Sequence, residues 1–131
     1  MNHLKQIAAK LPEFHIDAML CSSEPGEFYA VGLHGEGYAI VTANAVRYIT
    51  DSRYIEHANE TVQGAEVVMV DGQRNYAALI NEFIDAHGVK TLGIEDGYMS
   101  LVQFNALTKD LHAQLVPANG LITGLRAAKD E

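Results

Sequence analysis

The feature that most restricts what this chain can fold into is a repeated change of hydrophobic period between residues 66 and 112. Glu66-Val67-Val68-Met69-Val70 is a short, continuous apolar run, which predicts a strand covered on both faces. Tyr76, Leu79, Ile80, Phe83, Ile84 and His87 then recur at helical spacing, with Asn75 placed to cap the start and Gly88 the end. Thr91 to Glu95 reads as a further strand. Residues 101–112 read as a further helix, opened by a capping box of Ser100 with Gln103 and a staple of Met99 with Phe104. Phe104, Leu107 and Leu111 form its apolar face, which predicts a docked core helix. Strands that alternate with helices specify an α/β domain.

The rest of the chain continues the pattern. Leu4, Ile7, Ala8 and Leu11 predict a helix over 3–11, ended by Pro12. Residues 17–22 predict a strand, and Ser23-Glu24-Pro25-Gly26 a turn leading into a short helix that ends by Gly32. Tyr38–Thr42 and Val46–Thr50 are joined by Ala43-Asn44-Ala45, which predicts an antiparallel hairpin. A helix is expected over 52–61 with Asp51 or Ser52 as its cap. Gln114-Leu115-Val116 predicts a short strand before Pro117, and a last helix starts near Asn119. That helix has no terminating signal before Glu131, as expected of a domain cut from a longer chain.

Charge and composition exclude several classes of function. The 131 residues make one domain, and 48% hydrophobic content is enough for a core without staples. A net charge of −8 argues against a nucleic-acid partner and against an anionic membrane surface. No basic residue lies between Lys10 and Arg47, where Glu13, Asp17, Glu24, Glu27 and Glu36 read as a solvated acidic face. The single cysteine, Cys21, sits in an apolar run and reads as a buried thiol; no intramolecular disulfide is possible. Neither a signal peptide nor a membrane span is evident, so a cytoplasmic location is expected.

Few residues stand out as chemistry. Gly32-Leu33-His34-Gly35-Glu36-Gly37 has the wrong order for a phosphate loop and carries an acid, so it reads as a tight connection. The six histidines show no metal-ligand spacing, and no metal site or cofactor is expected in this chain. Glu95-Asp96 projects its carboxylates in different directions, so no shared acid–base site is implied. No catalytic residue is assigned. The exception is Arg53, read as the first turn of a helix behind Asp51, where a cation is unfavourable for the helix dipole. Either it pairs with Asp51 or Glu56 at the surface, or it offers its planar fork to a carboxylate of a substrate or partner.

The same segment carries a resemblance. Asp17-Ala18-Met19-Leu20, Ser23 to Leu33 with Tyr29 and Gly32, Tyr38–Thr42, Thr50-Asp51-Ser52-Arg53-Tyr54, Met99-Ser100 with Phe104 and Leu107, and Leu125-Arg126-Ala127-Ala128-Lys129-Asp130-Glu131 follow one another in register. Together they resemble the N-terminal domain of the creatinase, prolidase (Xaa-Pro dipeptidase) and aminopeptidase P family. Gly26 stands where that family often has Asn, and Ser52 where it usually has Gly.

The resemblance implies a three-layer α/β domain over 1–131, with a mixed, roughly six-stranded sheet and a ribonuclease-H-like motif. It implies a non-catalytic role: building a homodimer and restricting access to the active site of a C-terminal pita-bread catalytic domain absent from this chain. That domain would hold two divalent metal ions (Mn, Co or Zn) and hydrolyse small Xaa-Pro peptides. Arg53 becomes a substrate-edge candidate. The alternatives are a creatinase-like amidinohydrolase and a free-standing interaction module of the same fold.

Overall fold

The computed structural model describes residues 3–128. Of the segment Leu125–Glu131 used in the resemblance, Lys129, Asp130 and Glu131 lie outside the described residues.

Six strands, β1 (Ala18–Cys21), β2 (Tyr38–Thr42), β3 (Val46–Thr50), β4 (Glu66–Met69), β5 (Thr91–Ile94) and β6 (Gln114–Pro117), form one sheet in the order β4-β3-β2-β1-β5-β6. β2 is antiparallel to both its neighbours and the other pairings are parallel. The expected hairpin joins β2 to β3, with Thr42 bonded to Ala45 across the turn.

Helices α1 (Leu4–Lys10), α2 (Glu24–Val31), α3 (Ile55–Thr61), α4 (Tyr76–His87), α5 (Leu101–Asp110) and α6 (Asn119–Ala128) cover the sheet. Successive strand residues face opposite sides. Met19, Cys21, Ala39, Val41 and Tyr48 pack with α1, α2, α3 and α6. Ala18, Leu20, Ile40, Ile49 and Leu92 pack with Leu79, Ile80, Phe83 and Ile84 of α4. The result is the expected three layers around a mixed sheet. Asn75 caps α4 by accepting from the Ala78 amide, and Gly88 closes it in the left-handed conformation (φ 64°), as their positions predict.

Four local expectations are corrected. Ser23 is not in a free turn but is the cap of α2, its hydroxyl accepting from the Gly26 amide. α3 begins at Ile55, not Ser52, because the Asp51 carboxylate takes the Arg53 amide and the Tyr54 amide returns to the Asp51 carbonyl, closing a separate turn. β4 is an edge strand rather than a strand covered on both faces. Its four residues are half-buried or exposed, and Glu66 turns outward to an arginine of β3.

The fourth correction is α5. Its cap is as expected, with Ser100 accepting from the Gln103 amide, but no residue of the helix is fully buried. Leu101 and Val102 face solvent, Phe104 and Leu107 are half-buried, and Leu111 is buried just beyond the helix end. Ser100→Ala is therefore expected to cost about 1 kcal/mol, as a cap does. Phe104→Ala is expected to cost only about 1–2 kcal/mol, in proportion to its partial burial. Denaturant midpoints check both; a larger loss at Phe104 than at a core residue such as Phe83 would contradict this placement.

Candidate functional site

Because β2 runs against its neighbours, the ends of β1, β3 and β5 and the start of β2 meet at one edge of the sheet. In open α/β sheets this edge, at the carboxyl ends of the parallel strands, is where ligands bind. Two carboxylates are almost fully buried there, Glu27 at 2% exposure and Glu95 at 1%.

Glu95 follows β5 and turns inward under the start of α2. Its Oε2 accepts from the amides of Ser22 (2.8 Å) and Ser23 (3.0 Å), and its Oε1 from the Ser23 hydroxyl (2.6 Å). An anion here also suits the positive end of the helix. A Cβ on Gly26 would overlap this carboxylate.

Glu27, on α2, accepts at Oε2 from the amides of Gly35 (3.1 Å) and Gly37 (2.8 Å) and from the Tyr48 hydroxyl of β3. The glycine-rich connection therefore does hold an anion in its amides, but the anion is the chain's own. Burial raises the Glu27 carboxyl above its ordinary value, against the lowering effect of the Tyr48, Gly37 and Gly35 bonds. Burial, then the bond to Glu27, also pushes the Tyr48 phenol far up. The two buried carboxylates are bonded to internal donors.

Arg53 lies in the turn before α3, so the helix-dipole argument made from its sequence position does not apply. Its Nη2 donates to Asp51 Oδ2 (2.7 Å) and Glu36 Oε1 (2.9 Å), and its Nε points at both Asp51 oxygens (3.2 and 3.3 Å). The guanidinium stands 5.1 Å over the Tyr54 ring. The Arg53 bonds hold the Asp51 carboxyl below its ordinary value. Asp51 is the expected partner and Glu36 an unexpected one; no ion pair to Glu56 is recorded among the described residues. Glu36 sits at φ 50°, in the left-handed region that a residue with a Cβ seldom occupies.

Beside this cluster opens a cleft of about 560 Å³, lined by Ser22, Glu24, Glu27, Glu36, Tyr38 and Tyr54. A second groove of about 680 Å³ runs along α2 past Pro25, Phe28 and Arg126. His34 and Glu24, 3.5 Å apart, border both, and Phe28 stacks on the His34 ring at 4.4 Å.

The other sequence candidates are placed apart from this edge or used structurally. His3 stacks on Tyr29, His87 leans on Phe83, and His112 meets Asp85. Among the described residues, no group of three or more His, Cys, Asp or Glu side chains is gathered to hold a metal ion. Cys21 is buried, and burial pushes its thiol up, which suits packing and not nucleophilic attack. The Glu95-Asp96 side chains do diverge: Asp96 accepts from the Asn119 amide. No helix among the described residues is long and apolar enough to cross a membrane.

Glu27, expected in a solvated acidic face, is instead buried, because the Gly35 and Gly37 amides and the Tyr48 hydroxyl draw it inward. Sequence reasoning also missed the internal bonding of Glu95 and the role of Arg47. Arg47, 8% exposed in β3, bonds Glu66 of β4 and both Glu82 and the Leu79 carbonyl of α4, tying the edge strand to the helix layer. A charged residue in an otherwise apolar strand is the one signal that marks it.

The profile of the Creatinase/Prolidase N-terminal domain matches residues 3–128. A Bacillus subtilis protein named "Uncharacterized peptidase YqhT" is 28% identical over 130 residues, which is 96% of this chain and 36% of that protein. A Xaa-Pro dipeptidase from Bacillus anthracis has the same fold (TM-score 0.87, 24% identity) over 94% of this chain and 34% of its own. The N-terminal domain of the cytoplasmic peptidase PepQ from Mycobacterium tuberculosis matches with TM-score 0.80 and 26% identity, over 94% of this chain and 97% of its own. The chain thus spans about a third of the length of the first two proteins and nearly all of the third. With the six-stranded mixed sheet in place and the match running over residues 3–128, the chain belongs to the Creatinase/Prolidase N-terminal domain family.

Proposed function

We propose that this chain is the non-catalytic N-terminal domain of a cytoplasmic Xaa-Pro peptidase, in which it builds the homodimer and narrows access to the active site of a following catalytic domain. The observation that carries the reading is the family match over residues 3–128, joined to the third of a Xaa-Pro dipeptidase that the chain spans. The names of the relatives, a peptidase and a Xaa-Pro dipeptidase, favour a peptidase over an amidinohydrolase. The bond-breaking groups belong to the catalytic domain, which would hold a pair of Mn, Co or Zn ions. Those ions would supply metal-assisted hydrolysis of a small Xaa-Pro peptide there.

Arg53 is this domain's contribution to the substrate's edge. Asp51, only 22% exposed, fixes the guanidinium in place, while Arg53 itself remains 61% exposed. Nε and Nη2 are engaged by Asp51 and Glu36, which leaves Nη1 to meet a peptide carboxylate. In the full-length protein, Arg53→Ala is expected to lower kcat/KM on a Xaa-Pro dipeptide by about 10–100-fold, the usual effect of losing a charged contact. Arg53→Lys keeps the charge, loses the fork, and is also impaired. The denaturant midpoint of this domain is expected to change little, because the ion pairs are exposed. A sharply lower midpoint with kcat/KM untouched would make Arg53 structural and overturn the assignment.

A further inference from the structure

Glu36 is an unusual residue to find in this loop. It stands between two glycines with its own backbone in the left-handed region, where glycine or asparagine is the easier choice. Its carboxylate reaches Arg53 at 2.9 Å and the Tyr54 hydroxyl at 3.5 Å. On either side of it, the backbone is anchored to one atom: the amides of Gly35 and Gly37 both donate to Glu27 Oε2. The Thr50 hydroxyl adds a bond to the Gly35 carbonyl. The position of Glu36, and so the outer bond on Arg53, is set from inside the protein by Glu27.

All three bonds to Glu27 converge on Oε2, leaving Oε1 outside this set. A proton on Oε1 leaves Oε2 able to accept, but as a neutral carbonyl. Bonds to an ionised acceptor are about twice as strong as bonds to a neutral one. We propose that Glu27 is a positioning residue: its buried carboxylate latches loop 32–37, thereby holding Glu36 on Arg53, and uptake of a proton at Glu27 loosens both contacts. The importance of the latch for substrate rests on the role proposed above for Arg53; the latch itself does not.

The charged and titratable groups around Glu27 are Tyr48 of β3, Tyr38 of β2, Tyr76 of α4, Glu24 of its own helix, His34 and Glu36 of the loop, and Tyr54 with Arg53 beyond β3. Burial sets the direction of the titration, raising Glu27 above its ordinary 4.5. The group is thus easier to protonate in the folded chain than in the unfolded one. Its contribution to stability is full below the ordinary value and is lost as pH rises through the folded value. Asp17 and Asp51 are lowered, by the Lys90 amide and by Arg53 respectively, so their contributions are present above the ordinary 3.8 and are lost only in stronger acid. A window therefore exists in which Glu27 gains its proton while Asp51 keeps its charge and Arg53 its inner partner.

The test is a pH titration of this chain by amide and arginine guanidinium N–H NMR, with the Glu, Asp and His side-chain carbons followed in parallel. The expected result is one common midpoint, above 4.5, for the Gly35 and Gly37 amides, the Arg53 Nη2 protons that face Glu36 and the Glu27 carboxyl carbon. Tyr48→Phe removes a bond that favours the ionised form and moves this midpoint upward. Glu27→Gln abolishes the common transition, and the Tyr48→Phe arm stands if that variant fails to fold. Arg53 Nη2 protons following only the Asp51 and Glu36 carbons, or the glycine amides following the His34 ring instead, would overturn the latch. An unimpaired Arg53→Ala enzyme would overturn the substrate role alone and leave this result as it stands.

Discussion

Glu95→Ala is expected to destabilise the chain by about 3–5 kcal/mol, because it leaves two backbone amides and a hydroxyl without their acceptor in the interior. The amides are those of Ser22 and Ser23, and Ser23 also caps α2, so the start of that helix loosens with them. Glu95→Gln is expected to lose only about 1–2 kcal/mol. Its carbonyl oxygen serves the two amides, and its NH2 donates to the Ser23 hydroxyl once that hydroxyl rotates. Gly26→Ala attacks the same contact from the other side, since its new Cβ overlaps the carboxylate. The double variant Gly26→Ala/Glu95→Ala is therefore expected to be less damaged than the sum of the two single variants, because the space vacated by Glu95 receives the methyl group. Denaturant midpoints of the four proteins measure this; strict additivity would show that the two residues do not share the contact.

Gly37→Ala is the second large effect, at about 3–4 kcal/mol from overpacking and the loss of a buried bond. A Cβ there overlaps the Ile49 carbonyl, which is backbone of β3, and stands 2.7 Å from the Tyr48 hydroxyl. β3 is a central strand held on both sides, so it cannot yield without disturbing its ladders. Whatever moves also pulls the Gly37 amide from Glu27. Gly124→Ala is the control. It lies on the exposed side of α6 with nothing within 4 Å of the new methyl group. It is expected to gain about 0.5–1 kcal/mol from helix propensity. Equal losses at the two positions would show that loop 32–37 is not packed against β3 as described.

The contrast between these residues and the rest of the chain shows what a sequence displays. α4 was readable because its apolar stripe, its Asn75 cap and its Gly88 stop are local and agree. The β2–β3 hairpin was readable because a three-residue link leaves few options. β4 was misjudged because an apolar run records nothing about whether a second neighbour exists, and only the strand order places it at the edge. α5 was misjudged because Phe104 and Leu107 have the same spacing whether a helix is half-covered or buried. The start of α3 was set too early because Asp51 has the chemistry of a cap and is engaged by the Arg53 turn instead. Of the two carboxylates that hold Arg53, Asp51 is legible because it is two residues away, while Glu36 comes from another loop. The buried carboxylates were out of reach for the same reason. Glu95 finds Ser23 across 72 residues and Glu27 finds Tyr48 across 21, distances over which sequence pattern carries no pairing information.

The central claim is that this chain is a domain serving an active site located elsewhere. The most direct measurement is hydrolysis of a Xaa-Pro dipeptide by the chain alone, with Mn²⁺, Co²⁺ or Zn²⁺ added in turn and the bound metal assayed after dialysis. The account predicts no turnover above background and no metal retained in stoichiometric amount. Turnover that scales with this chain, is removed by a chelator and returns with metal would contradict it.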